Sequence, residues 1–414
     1  MTQDAVAASE AVPSHALRVL PFRYLWLNNI SYAMVMNAIR FVYGWVVLDG
    51  LGKGESAQGL VVFLLGVPTL VLVLPAGVWA DRLDRRRMLL GTQLTAAAGL
   101  FITAGLLSQG RLSMGLMVIS AIAIGAVMAI GSPVRSSLIP ELLPASLLFG
   151  GIAVNAIAMT ASMVLGAVIA QIVGDAFGFD GVFVYMGALL VVGAMAVQRI
   201  EAPPPRPRDG TQVVTMRAAV REGLRFVAGE PALRTLFGML ALAGGVMNAL
   251  MFVTIQAFVK EDLGRDAGDA APIYALIGVG LAASSFVVMR KGDMARKGTV
   301  FMRSMVAGTA LMASMGQVQA YWQLAVLATL MGCTGGFFIN MNQGLIQSNT
   351  PTELMGRIMG LFTLVQAGLT PFGALLFGVV ASAIGAGTTI TVGAGVAFII
   401  TVTTTLRARA IHEI

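Results

Sequence analysis

Ala80–Leu89 reads ADRLDRRRML, with six charges in the seven residues Asp81–Arg87. The chain around it is 57% hydrophobic and only 11% charged. Soluble domains carry about 25% charge and about 45–50% apolar residues. Such a composition fits a protein whose outer surface faces lipid, and the charged stretch is then a loop between two crossings.

A helix needs about 20 apolar residues to cross the hydrocarbon layer. Uncharged stretches run over 56–80, 88–110, 112–134, 142–174, 181–198, 235–259 and 270–289. Two longer ones, 304–352 and 358–406, are each broken by a polar stretch, QVQAYWQ (317–323) and IGAGTT (384–389), and so count as pairs. The segment from about 23 to 49, which contains Arg40, completes twelve predicted crossings. Sorting basic residues by alternate loops places 22 of the 27 on the side shared by both termini. The other side holds Lys53, Arg111, Lys260 and Arg265, with Arg40 inside a crossing. By the positive-inside rule both termini are expected in the cytoplasm.

This layout excludes several function classes. The net charge of +7 is spent on topology, which argues against nucleic acid as partner. Cys333 stands alone, so no disulfide frame or metal cluster is expected. His15 and His412 lie near the ends, which removes an intramembrane histidine site, and with it most enzyme chemistry. No cofactor is implied, and residues 1–20 lack the order of a cleaved signal.

The longest hydrophilic segment begins RIEAPPPRPRDG at Arg199, and its prolines favour an extended linker. Beyond it, Arg217, Arg221 and Arg225 fall four apart among apolar residues, as in an amphipathic helix on a membrane surface. The expected organisation is a tail (1–22), a six-helix bundle (23–199), the linker (200–232), a second six-helix bundle (233–406) and a tail (407–414). A shift of 207 residues pairs Gly125 with Gly332, Pro144 with Pro351, Leu147 with Leu354 and Gly166 with Gly373. Repeated halves with a substrate site between them are a common transporter plan.

Gly77-Val78-Trp79-Ala80-Asp81-Arg82-Leu83-Asp84-Arg85-Arg86 resembles the hallmark after the second crossing of the major facilitator superfamily, with Trp79 and Asp84 as departures. FRYLWLNNIS (22–31), SPVRSSLIPELLP (132–144), REGLRFVAGEPALRTL (221–236) and NQGLIQSNTPTELMGRIMG (342–360) are similar to its enterobactin-exporter-like, drug-efflux branch. The resemblance implies an all-α membrane fold of two pseudo-symmetric bundles, a monomer in the cell membrane, and alternating access for a small molecule. It also implies a gate on the cytoplasmic side built on Gly77, Asp81, Arg82, Arg85 and Arg86, with Asp81 meeting the helix that starts near Gly356–Arg357. Arg135, Glu141, Glu353 and Arg357, in the other shared phrases, join that gate. The glycine-rich hallmark of proton-driven exporters is reduced to Gly166 within Ser162–Ala167.

Charge inside a crossing costs at least about 2.5–3.5 kcal/mol at its centre and marks function by default. Arg40 is the basic residue in that position. Asn29, Tyr32, Met36, Arg40 and Tyr43 recur at three- and four-residue steps on one helix face, which the resemblance points at the central cavity. Two readings of Arg40 remain open: it meets an anionic part of the substrate, or it snorkels to water or pairs with a carboxylate. Asn37, Asn155, Asn248, Gln256, Tyr274, Asn340, Asn342 and Gln366 are further polar candidates, each alone also suited to helix–helix bonding. Met128, Met159, Met247 and Met251 offer an adaptable lining. No acid lies deep in a crossing, which leaves Asp49 as the proton-coupling candidate and leaves coupling to protons open. An exporter of amphipathic molecules, an uncoupled facilitator or importer, and a non-transporting scaffold are the competing expectations.

Overall fold

The computed structural model describes residues 15–200, 216–291, 296–351 and 354–407. Among them ten helices are long and apolar enough to cross a membrane. The first is α1 (Leu20–Trp45), which ends in a π-helical turn, Val46–Gly50. Then come α2 (Glu55–Arg82), α3 (Arg85–Ser108), α4 (Met114–Leu142) and α5 (Ala145–Gln198). At Gly178 (φ 77°) α5 breaks into two arms. Asn29 meets Asn155 and Asn28 meets Gly193 near one end of α1, whereas Trp45 meets Phe179 near the other. The two arms are therefore antiparallel and supply two crossings. With α10 (Lys297–Met315) the total is twelve.

The amphipathic helix expected in the linker is α6 (Met216–Gly229), whose Val227 packs with Leu233 and Leu236 of the next helix. The second half comprises α7 (Pro231–Leu242), a π turn Ala243–Asn248, α8 (Ala249–Glu261), α9 (Ala270–Lys291), α10, α11 (Tyr321–Ser348), α12 (Met355–Gly368), α13 (Thr370–Ile384) and α14 (Ala386–Arg407). Both long uncharged stretches break where their polar residues fall. Tyr321 opens α11 after the first break, and Gly385 (φ 83°) separates α13 from α14 at the second.

The loops and helix ends form two faces: a basic-rich face with Arg85–Arg87, Arg290 and Arg357, and a basic-poor face with Lys53, Arg111 and Lys260. Asp84 on the basic-rich face answers part of the opening puzzle. Its carboxylate accepts from the Arg87 backbone N–H and caps α3, satisfying a donor that the helix start leaves orphaned.

The two halves use equivalent packing. In the first, α1 lies against α5, α2 against α4, and α3 against α5. In the second, α8 lies against α13, α9 against α11, and α10 against α14. The paired glycines sit at matching crossings. A Cβ on Gly125 would strike the Leu65 carbonyl of α2, and one on Gly332 would strike the Ile277 carbonyl of α9. Gly166 faces the Met34 carbonyl of α1, and Gly373 the Gly245 carbonyl of the π turn before α8. Close backbone approach needs small residues there, as is usual between helices in lipid.

Candidate functional site

The halves meet along two helix pairs, α2 with α13 and α5 with α9. A Cβ on Gly59 would sit 2.5 Å from the Ala374 carbonyl, and Phe63 packs edge-on to Phe372 at 5.5 Å. At the basic-poor end this contact becomes polar. Gln256 of α8 donates to the Phe41 carbonyl of α1 (2.9 Å) and accepts from Gln58 of α2 (2.6 Å). Lys260 pairs with Asp49 (2.7 Å) and donates to the Leu48 carbonyl (2.6 Å). Asp49 also accepts from the Trp45 indole and the Ala267 backbone N–H, both at 3.0 Å. Gln171 donates to Asp269 at 3.3 Å.

The expected proton site, Asp49, is thus a carboxylate held by three donors in a seal between the halves, and Gln256 belongs to the same seal. Beside it, the Asp262 carboxyl is pushed above its ordinary range, first by burial and then by the charge of Glu55, against an opposing backbone hydrogen bond from Gly387.

Beneath the seal lies a small cavity between the halves, lined by Asn37, Phe41, Met163, Met251, Phe252 and Tyr274 among others. It holds about 30 Å³, room for a water or two and none for an organic molecule. Arg40 lies beside it, with its guanidinium 5.3 Å from the centre of the Phe252 ring of the opposite half. Phe252 stacks with Tyr274 at 6.1 Å, and Tyr274 meets Phe41 edge-on at 6.0 Å. No carboxylate or hydrogen-bond acceptor among the described residues engages Arg40. Asp49, considered as a partner for it, is committed to Lys260.

The structure divides the other expected residues. Asn37 and Tyr274 line the cavity. Tyr32 and Tyr43 turn into the first bundle, where Tyr32 donates to the Met128 carbonyl and Tyr43 bonds Ser120. Asn29 donates to Asn155 and joins α1 to α5. Asn340 bonds Ser285 and Asn342 the Leu236 carbonyl, both inside the second bundle. Met36, Asn248 and Gln366 are half-buried. The helix face toward the cavity is therefore that of Asn37 and Phe41, about a third of a turn from the centre of the stripe read in the sequence. Phe41 and Phe252 escaped notice because a single aromatic among many apolar residues carries no periodic signal. Lys260 and Gln58 escaped because each sits at a helix end, where polar residues are ordinary.

At the basic-rich face Arg85 pairs with Glu141, Arg86 donates to the Gln198 carbonyl, and Arg357 pairs with Glu222 of α6. Each of these contacts stays within one half or between the linker and the second half. Glu353 lies outside the described residues, as do the surroundings of Gly77 and the side chains of Asp81 and Arg82. Arg135 is buried inside the first bundle.

The family model described as Major Facilitator Superfamily matches residues 25–374. The chain belongs to the major facilitator superfamily; it is a multi-pass membrane transporter and not an enzyme. The enterobactin exporter EntS of Citrobacter koseri is 26% identical over 385 residues, 86% of this chain and 88% of that protein. The enterobactin exporter EntS of Escherichia coli O81 is 25% identical over 382 residues, 85% of this chain and 87% of its own. Among solved structures, the nucleoside transporter NupG aligns with a TM-score of 0.75 at 13% identity, covering 95% of this chain and 99% of NupG. A bacterial homolog of the lysosomal transporter Spinster, inward-facing and unoccupied, aligns at 0.69 and 13% identity, covering 97% of each.

Proposed function

We propose that this transporter exports amphipathic, anion-bearing small molecules by rocking its two halves about the interface, with the basic-rich face and both termini in the cytoplasm of a cell-membrane protein. One observation carries the reading. Arg40 sits under the seal at the junction of the halves, held by a ring face of the opposite half, with its five donors uncommitted to any acid. A guanidinium is permanently charged and built for bidentate carboxylate or phosphate recognition. The surrounding Phe41, Phe252, Tyr274 and methionines suit an apolar body. Direction is taken from the two exporters named above, and the sealed basic-poor end supports a cytoplasm-facing resting state.

The test is reconstitution in vesicles with a panel of amphipathic anions and matched neutral analogues. The expected result is uptake of the anions alone into inverted vesicles, with loss of at least tenfold in Arg40→Ala and partial recovery in Arg40→Lys. Equal transport of neutral analogues defeats the anion assignment. Labelling distances across each face that never alternate defeat transport by rocking and favour the scaffold. Coupling is read in the same vesicles by imposing a pH gradient. A gate at Asp81 belongs to the same proposal: Asp81→Asn should slow turnover severalfold while substrate affinity stays within about twofold, because a helix-start contact of about 0.3–2 kcal/mol acts on the state equilibrium alone.

A further inference from the structure

Phe252 belongs to α8 of the second half, yet the Arg40 guanidinium on α1 of the first lies over its ring, 5.3 Å from the centre. The ring is fixed to its own half. It stacks on Tyr274 of α9 at 6.1 Å with 23° between the planes, and the Tyr274 hydroxyl donates to the Met251 carbonyl at 3.0 Å. Phe252 therefore travels with the second half, and Arg40 with the first.

The ring is also in register with the seal. Phe252, Gln256 and Lys260 fall four apart on α8 and share one face. Gln256 and Lys260 donate to the Phe41 and Leu48 carbonyls of the first half. Making those bonds sets the ring against Arg40 two turns below, so closing the seal and placing the ring are one event. No ring of the first half stands ready to replace it. Tyr32 carries Arg135 over its face at 3.5 Å, and Tyr43 meets Phe183 edge-on at 5.6 Å. Cation–π attraction reaches to about 6 Å from the ring centre. The Arg40 contact is already close to that limit, so a small parting of the halves ends it.

A ring occupies only the face of a guanidinium. The N–H donors lie in its plane, and none meets an acceptor among the described residues. An arginine clasped in this way has its orientation fixed in advance, and an anion binds it without first ordering the long side chain. With the ring withdrawn, the side chain regains its rotamers, and water entering between the halves screens its charge.

We propose that Phe252 is a positioning residue that ties the hold of Arg40 on an anion to the seal: firm while the basic-poor side is closed, weaker once it opens. On the anion reading above, on which this role rests, the ring supplies what an exporter needs, capture from the cytoplasmic side and release on the other.

The test uses the full chain in lipid nanodiscs and has two readouts. Spin-label distances across the basic-poor face report the state without any ligand. Equilibrium binding of radiolabelled hexanoate, with hexanamide as the neutral control, reports the hold on an anion. Phe252→Leu should raise the open-to-closed ratio about three- to tenfold, and should add nothing in an Arg40→Ala background. It should weaken hexanoate binding about three- to tenfold, whereas Phe252→Tyr keeps the original affinity. With the face held apart by Gly378→Val, where a Cβ would meet the Glu55 carbonyl at 2.7 Å, the loss of hexanoate affinity on Phe252→Leu should vanish. If Gly378→Val fails to fold, the Arg40→Ala background decides. Distances that shift equally in Arg40→Ala make the ring a packing residue and overturn the proposal. Hexanoate affinity that survives Phe252→Leu, or falls equally with the face held apart, overturns it too. Hexanamide binding as tightly as hexanoate defeats the anion reading and the affinity role with it, and the ligand-free distances tell that failure from the others.

Discussion

The two ends of the interface between the halves are built differently. At the basic-poor end, side chains from opposite halves bond each other: Gln58 with Gln256, Asp49 with Lys260, Gln171 with Asp269. At the basic-rich end the described ion pairs, Arg85–Glu141 and Arg357–Glu222, tie helices within a half or fasten the linker to its own half. Opening the first end requires breaking polar contacts, whereas the second can part without touching these pairs. Among the described residues the structure is therefore closed on the basic-poor side, as one state of the proposed rocking cycle would be. The cavity of about 30 Å³ agrees, since it is closed down beneath that seal.

The comparison can be broken most sharply at the backbone. Gly378 lets the halves touch: a Cβ there would sit 2.7 Å from the Glu55 carbonyl and 2.8 Å from Gly59 Cα. Gly378→Val should prevent closure, because overpacking against backbone costs about 1–3 kcal/mol. Transport should fall tenfold or more, and labels on the basic-poor face should remain far apart. Unchanged distances would mean that this contact does not gate.

A smaller effect is expected at the ion pair. Lys260 and Asp49 are 37% and 18% exposed, so their link is worth about 1 kcal/mol and no more. Lys260→Met should shift the equilibrium about fivefold toward the open basic-poor face, with accessibility of a cysteine placed near Leu48 as readout. The double change with Asp49→Asn should add little if the two act as one contact.

The smallest effect concerns pH. Because Asp262 is raised in the closed fold, its contribution to stability is complete below the unfolded carboxylate value and declines as pH rises through the folded one. Asp262→Asn, which keeps an acceptor for Gly387, should flatten that slope. Tm measured across mildly acidic to neutral pH checks it, and an identical slope in the variant removes Asp262 as its source.

Several features were legible before any coordinates. The crossings, the linker helix over 216–229 and the matched glycines follow from period, length and repetition, which lipid enforces on every segment independently. Arg40 was legible because charge in an apolar run is rare. The stripe through Tyr32 and Tyr43 was misleading as a guide to the cavity. Each hydroxyl found a partner inside its own bundle, and helical spacing cannot tell a face turned inward from one turned to the opposite half.

Sequence by itself determined that this is a membrane protein of two related six-helix halves, because burial in hydrocarbon leaves its mark on composition residue by residue. Only the tertiary structure decided which polar groups meet across the halves, that Asp49 is tied to Lys260, and that Arg40 and Arg135 meet no acid among the described residues. Those facts depend on contacts between residues about 100 to 200 positions apart, set by helix rotation and by the backbone approach at glycines.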